Sequence, residues 1–421
     1  MPSDFGCNPE GGASNEMATA GERNANSNHF TPLQIMSSTL PRHIETDVLI
    51  VGAGPTGLTL AASLAARGLK PLVIDRQPTG VNTSRAAVIH ARTLEVLEPL
   101  GVSEQLVSRG VKASRFTIRD RDRVLVPINF SRLPTRFPYT LMISQAVTEQ
   151  VLLQRLEALG GQVIRPQSLV EFRQDSDGVD AFLADGTRVR SRLLVGCDGM
   201  HSAVRERAGI GFEGGSYAES FLLADVRLSG YVAADEVVLF FSPRGMAVVA
   251  PLPDGVHRIV APVDDAPERP DARFVQSLLD ERGPSASPVQ VVGEPIWGSR
   301  FRVHHRVADR YRAGRVVLAG DAAHVHSPAG GQGMNMGILD AVRLADALQS
   351  ALAGQLDALD TYASERRPVA GQVVALADRL TRLATVPPAM RGLRNLFLRI
   401  VAMVPTVRRT LAWRLSGLVY R

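Results

Sequence analysis

Three stretches of this chain hold residues whose types and spacing can do chemistry. The first, Gly52-Ala53-Gly54-Pro55-Thr56-Gly57, fits G-x-G-x-x-G. Gly52 permits a tight turn, Gly54 lets the backbone approach a pyrophosphate, and Gly57 lets a helix pack closely on a strand. Asp75 follows about twenty residues on, where a carboxylate reaches a ribose hydroxyl. The second stretch is Cys197-Asp198-Gly199. An acid there suits ribose or ribityl hydroxyls, although Asp-Gly alone is simply a turn. The third runs from Gly320-Asp321 to Gly330-Gly331-Gln332-Gly333. It offers a second glycine-rich helix start, hence a second place for negative charge. The ligand these features imply is a dinucleotide.

The elements that must position these residues are legible around them. Asp47 to Val51 is an apolar run of the kind that fills a buried parallel strand. A helix from Leu58 to Ala66 follows, ended by Gly68, and Leu72 to Ile74 is the next strand. Leu193 to Val195 is a strand before Asp198, and Ser202 begins a helix carrying Arg205 and Arg207. Val316 to Leu318 leads to Asp321, Ala322 to His324 reads as a turn, and the helix opened by Gly330 to Gly333 runs beyond Leu344. Between them lie a helical stretch from Arg92 to Leu100 and a hairpin turning at Asp120-Arg121-Asp122. An amphipathic helix spans Met142 to Leu159, opened by Ser144. Short alternating runs from Tyr217 to Arg300 predict a mostly antiparallel sheet. From Pro368 the chain reads as helical, broken at Pro387-Pro388 and Pro405.

The fold class is therefore α/β. A Rossmann-like nucleotide-binding domain with a parallel sheet occupies 43–215 and 300–350, and a hairpin at 116–140 joins it to a substrate-binding sheet at 216–299. A helical region occupies 351–421. Residues 1–42, rich in Gly, Ser, Asn, Ala and Glu, read as a disordered tail.

Composition removes several function classes. The net charge of +5 comes from arginine, since lysine occurs only at Lys70 and Lys112. No basic block is interleaved with aromatics, which argues against nucleic acid. Cys7 and Cys197 form neither a disulfide framework nor a metal-ligand spacing, so a reducing, cytoplasmic location is expected. His324 and His326 find no further ligand at suitable spacing. No apolar run is long enough to span a bilayer. The C-terminal helices contain no acid after Asp378, and their arginines are expected to be solvated while the apolar residues pack on the body.

Taken together, the glycine turn, Cys-Asp-Gly and Gly-Asp resemble the single-component FAD-dependent aromatic hydroxylases. These are the para-hydroxybenzoate hydroxylase-like flavoprotein monooxygenases. The likeness is nearest to the aromatic-polyketide hydroxylase branch, through SRAAVIHARTLEVLEPLG, GDAAHVHSPAGGQGMNMGILDA and LDTYASERRP. It covers the chain from about Glu45 onward. The resemblance implies FAD as cofactor, NADPH or NADH as transient co-substrate, and hydroxylation of a phenolic substrate by O2 through a flavin C4a-hydroperoxide.

It also implies residue roles. Gly52, Gly54, Pro55, Thr56 and Gly57 would face the pyrophosphate, Asp75 the adenosine ribose and Arg76 the adenine. Arg85 and Gln145 match positions at the phosphates and ribityl region, and Leu169 would touch adenine through its backbone. Asp321 matches the acid on the ribityl chain. Pro328, Gly331, Gly333, Met334 and Asn335 would lie along the isoalloxazine. Asp198 belongs to a motif serving FAD and NADPH, with Arg205 the nearby cation. No catalytic side chain is assigned, because the flavin does the chemistry. His257, Arg244, Phe241 and Tyr139 are candidates for orienting the substrate from their location alone. Relatives in this branch often carry a thioredoxin-like C-terminal domain, for which this chain is too short. A reductase or epoxidase of the same fold, acting on a non-aromatic substrate, is the second reading, since fold does not dictate reaction. A monomer or homodimer with no nucleic-acid partner is expected, and peripheral membrane contact through the basic C-terminal helices is a further reading.

Overall fold

A computed structural model describes residues 43–80, 86–230, 232–264, 266–328, 330–384 and 386–421, with only the backbone for 217–219. The tail expected at 1–42 and the phosphate candidate Arg85 lie outside the described residues.

Unbroken apolar runs build the first sheet. Val48, Leu49 and Ile50 are fully buried, as a strand covered on both faces requires. Strand His43–Val51 pairs in parallel with Pro71–Ile74 on one side and Arg188–Gly196 on the other. Val163–Ile164 and Val316–Leu318 extend the sheet outward, again in parallel. Parallel neighbours need a crossover, and helix Pro55–Ala65 supplies the first. It packs between helices Gln145–Ala158 and Gly333–Leu352. Ser144 does cap the former, its Oγ accepting the Val147 N–H. That helix starts later than its apolar pattern suggested, because Thr140–Met142 is drawn into a small sheet with Val88–Ile89 and Val111–Ala113.

The second sheet has eight strands. Its order is His324–Val325, Gln290–Ala308, Phe212–Ser229, Val256–Val263, Gly245–Pro251, Glu236–Ser242, Arg115–Asp120 and Arg123–Asn129. All pairs are antiparallel except Glu236–Ser242 with Arg115–Asp120. The expected hairpin is present, with Arg121 at φ 50° in its turn. Strand alternation sorts the side chains onto two faces. Leu222, Ala224, Val238, Phe240, Ile259 and Ala261 face helix Ala272–Arg282 and bury its Val275, Leu278 and Leu279. Phe221, Phe241, Leu239, Val248 and Val260 gather on the other face. Strands Phe212–Ser229 and Gln290–Ala308 run through positions 216 and 299, so the two halves are joined by continuous strands.

Helix Ala358–Ala384 begins well before Pro368, which sits inside it, contrary to the expectation that the helical tail starts there. Helices Arg391–Ala402 and Pro405–Leu415 then cover strand Arg123–Asn129. Leu398, Ala402, Leu411 and Ala412 pack with Leu125, Val126 and Ile128. Arg394, expected to be solvated, is instead buried against the sheet and donates to the carbonyls of Phe241 and Ala384.

Candidate active site

Helix Pro55–Ala65 begins with no side-chain cap: Gly54 is its N-cap and Pro55 its first residue. The first amides of a helix have no partner within it. Among the described residues, a Cβ at Gly54 would meet nothing within 4 Å beyond its chain neighbours. At the other two glycines the reverse holds. A Cβ at Gly57 would collide with the Gly52 carbonyl, and one at Gly52 (φ 105°) with the Cys197 carbonyl. Two glycines close the turn on the chain, and the third opens it to a ligand.

The second helix start repeats the arrangement. Helix Gly333–Leu352 has Gln332 as N-cap, no side-chain cap and no acid in its first turn. A Cβ at Gly333 would also meet nothing within 4 Å among the described residues. Thr56 brings the two starts together. Its Oγ1 occupies the space that a Cβ at Gly337 would need, and stands 2.5 Å from where one at Gly320 would lie. Two positive helix ends therefore converge beside the Gly320–Ala322 turn, where Asp321 is exposed.

The acids divide in their use. Asp75 Oδ2 accepts the Ala53 N–H at 2.6 Å and Oδ1 the Gln77 N–H at 2.8 Å, so this carboxylate braces the glycine turn itself. The Asp75 backbone pairs with Ile164 and Gln167, which brings the segment leading to buried Leu169 alongside. Asp198 accepts from Ser202 Oγ at 2.5 Å and from the Val204 N–H at 3.2 Å, capping helix Ala203–Arg207. Burial raises its pKa above the ordinary carboxyl value, and those hydrogen bonds offset this only in part.

Arg205 does not present a cation to the cleft. Its guanidinium lies 3.9 Å from the Phe212 ring centroid and donates to the carbonyls of Ala322 and Met200. It ties the second stretch to the third instead. Asn335 is likewise engaged by the protein. Its Oδ1 accepts the His90 N–H, and Nδ2 donates to the carbonyls of Val88 and Gly331. Gly331 (φ 62°) accepts no side chain, because a Cβ would collide with Val88. Pro328 is exposed and Met334 half-buried on the same segment. Gln145 is half-buried and donates to Glu149, while Arg76 is exposed with no ion pair among the described residues.

Several contributors escaped sequence reasoning. Beneath Gly320, buried Asp340 takes the Arg366 Nε–H at 2.6 Å on Oδ1 and meets His324 Nε2 at 2.7 Å on Oδ2. Burial alone would raise its pKa, but Arg366 and His324 outweigh that and hold it below the usual carboxylate range. His324 is thus committed to a carboxylate. Among the described residues no group of three side chains has metal-binding geometry. Buried His90, whose Nε2 lies 2.9 Å from the Gly330 carbonyl, is lowered to a pKa of about 4 by desolvation. Asp340, Arg366 and His90 lie within the stretches that carry the family likeness, but each is defined by a partner distant in sequence, so no local pattern gave it a role.

The orienting candidates have different neighbours. Phe241 lies under Arg394, Arg244 is exposed in a hairpin turn, and Tyr139 packs edge-on to Phe137. His257 shares the sheet face of Ile259 and Ala261, which is turned toward helix Ala272–Arg282. Its neighbour Arg258 points the other way. It forms a two-pronged ion pair with Asp225, both contacts 2.7 Å, and donates to the Ala86 carbonyl. Trp297, 5.5 Å from that guanidinium, lines an open cavity of about 640 Å³ with Pro270 and Arg300. The half-buried apolar residues on Arg258's side of the sheet include Leu239, Val248, Val260 and Phe301. Two helix starts without side-chain caps, with exposed Asp321 between them and an apolar sheet nearby, fit a dinucleotide diphosphate carrying a flat ring.

Comparison with known proteins agrees. A family model described as "FAD binding domain" matches residues 45–377. The 6-methylpretetramide 4-monooxygenase of Streptomyces rimosus is 41% identical over 357 residues, covering 82% of this chain and 62% of that protein. The rifampicin monooxygenase of Streptomyces venezuelae is 36% identical, covering 89% of this chain and 79% of that protein. The crystal structure of p-nitrophenol 4-monooxygenase from Pseudomonas putida superimposes with a TM-score of 0.78 at 28% identity, covering 88% of this chain and 97% of that one. The chain thus spans less than two thirds of the first of these relatives.

Proposed function

The chain belongs to the FAD-binding family of flavoprotein monooxygenases, the para-hydroxybenzoate hydroxylase-like aromatic hydroxylases, and we propose that it hydroxylates a phenolic substrate at the expense of NADPH and O2. FAD is the cofactor. When bound and reduced, FAD supplies the activation of O2 that puts one oxygen atom on the ring and releases the other as water. The observation that carries the reading is the convergence of the two uncapped helix starts at Thr56, Gly320 and Gly337.

The residue roles are proposed around that convergence. The amides at Thr56 and Gly57 hold the pyrophosphate, with Gly54 leaving room for it. Asp75 shapes this turn through Ala53 as well as facing the adenosine ribose, and the backbone at Leu169 and the exposed Arg76 flank the adenine. Arg85 and Gln145 serve the phosphate and ribityl region. Asp321 takes the ribityl hydroxyls. The start of helix Gly333–Leu352, with Pro328, Gly331, Gly333 and Met334 before and within it, stabilises negative charge on the reduced ring. Asn335 holds that segment in place through Val88 and His90, and Asp198 and Arg205 act through the loops they tie together. Leu239, Val248, Val260 and Phe301 form an apolar wall that receives the substrate ring and excludes water.

The substrate class is a phenol, with polyketide-derived aromatics the first candidates within it. A single chain or homodimer in the reducing cytoplasm completes the reading. Among the described residues no helix is long and apolar enough to cross a membrane.

The test is NADPH oxidation by the flavin-loaded protein across a panel of phenols under ¹⁸O2. The expected result is a product heavier by one labelled oxygen, formed in step with NADPH loss. NADPH loss with reduction of the organic compound and no label would favour a reductase.

A further inference from the structure

Helix Arg391–Ala402 buries a polar pair beside Leu398 and Ala402 and leaves an apolar ridge exposed. A surface helix normally buries its apolar stripe and exposes its charges. Here the buried face carries Arg394 and Asn395, 6% and 7% exposed, which hydrogen-bond the Phe241 carbonyl. The outward face carries Leu393, Leu396, Phe397 and Ile400, each more than half exposed. Their spacing places them on one side of a helix. Met390 continues the ridge before the helix, and Met403, 78% exposed, continues it after.

The inner contacts show that this orientation is specific. Arg394 also donates to the carbonyls of Leu383 and Ala384, and Asn395 Nδ2 donates to Asp120. Rolling the helix to hide its leucines would strip these buried donors of their partners, which costs more than an exposed methyl group. A continuous apolar ridge of this kind marks a contact surface.

Charge selects the occupant. From residue 379 to 421 there are nine arginines and no acid. Arg399, beside the ridge, and Arg409 and Arg414 on the next helix are exposed and make no ion pair among the described residues. A second copy of the same face would meet like charge with like charge. An apolar ridge flanked by unpaired arginines matches the acyl–headgroup boundary of an anionic bilayer. We propose that this helix seats the protein on anionic lipid surfaces, with Leu396, Phe397 and Ile400 entering the boundary and Arg399, Arg409 and Arg414 meeting the headgroups. This surface is independent of the reaction proposed above.

The experiment is sedimentation of the full flavin-loaded chain with vesicles of phosphatidylcholine alone or mixed with phosphatidylglycerol, at low and high salt. Binding is expected to the mixed vesicles, weakened at least tenfold by high salt. Phe397→Glu with Ile400→Glu should weaken it at least tenfold, and Arg399→Gln with Arg409→Gln should remove the preference for anionic lipid. Because these side chains are exposed, flavin content and melting temperature should not change, which separates a lost surface from a lost fold. Should those quantities fall in the glutamate variant, Leu396→Gln serves as the milder probe. Absence of binding to mixed vesicles, or binding unaffected by the variants, would overturn the proposal. So would a concentration-dependent dimer in light scattering that Phe397→Glu dissolves while vesicle binding persists.

Discussion

Thr56 and Gly337 share one space: the Thr56 Oγ1 stands where a side chain at Gly337 would have to go. The contact holds the first turn of helix Pro55–Ala65 against the first turns of helix Gly333–Leu352, 281 positions away in sequence. It sets the two helix starts side by side.

The contact can be tested by a double-mutant cycle. Gly337→Ala alone should destabilise the protein by about 1–3 kcal/mol, the usual cost of overpacking. In a Thr56→Ala background the obstructing atom is gone, and the nearest remaining one, the Gly320 Cα, is at 3.4 Å. There the same change should be neutral or stabilising by up to ~1 kcal/mol, since alanine favours helix over glycine. Urea denaturation of the four proteins measures this. Equal costs in both backgrounds would mean that the contact does not join the helices.

The two motif acids should separate by what they lose. Asp198→Ala leaves the Ser202 hydroxyl and the Val204 amide without their acceptor, a loss of about 1–3 kcal/mol. Asp321→Ala changes an exposed side chain and should release FAD at least tenfold more readily. Thermal melts of the flavin-free proteins, with fluorescence titration of FAD, check both halves. Full flavin retention by the Asp321 variant would contradict its role on the ribityl chain.

His90 sets an acid limb. Its folded pKa, about 4, lies below the ordinary 6.5 because burial disfavours the charged ring. As pH falls the unfolded chain takes up this proton first, so stability is full above pH 6.5 and declines toward pH 4. The loss reaches about 3 kcal/mol at most. His90→Gln should flatten the slope between those pH values by up to one proton, as read from urea midpoints at pH 5 and 7.5. An unchanged slope would place the titration elsewhere, with His326, also lowered to about 4 by desolvation, the first alternative.

Local pattern carried the nucleotide half of the fold. The apolar run at Val48 to Ile50 and the glycine spacing at Gly52, Gly54 and Gly57 depend on neighbours in sequence, so strand, turn and helix could be read directly. What escaped was long-range. Asp75 reads as a ribose ligand because its distance from the glycines is right, but its bond to Ala53 appears only when strands pair. His257 and Arg258 differ by one position, and strand alternation sends them to opposite faces of the sheet. Only the register with Val226 and Asp225 decides which of them looks toward Ala86. The C-terminal helix showed its amphipathic spacing in the sequence, but nothing there revealed that Arg394 and Asn395 face inward while Leu396, Phe397 and Ile400 face out.

The most direct measurement of the central claim is the flavin content and melting temperature of Gly54→Val. The backbone at Gly54, φ −76° and ψ −175°, is one that valine adopts readily, and among the described residues no atom other than those of its chain neighbours lies within 4 Å of the added Cβ. If this space belongs to the pyrophosphate of FAD, the variant will fold with the melting temperature of the flavin-free parent and bind FAD at least tenfold more weakly. A variant that purifies with the parent's full complement of FAD would contradict the assignment of this cleft.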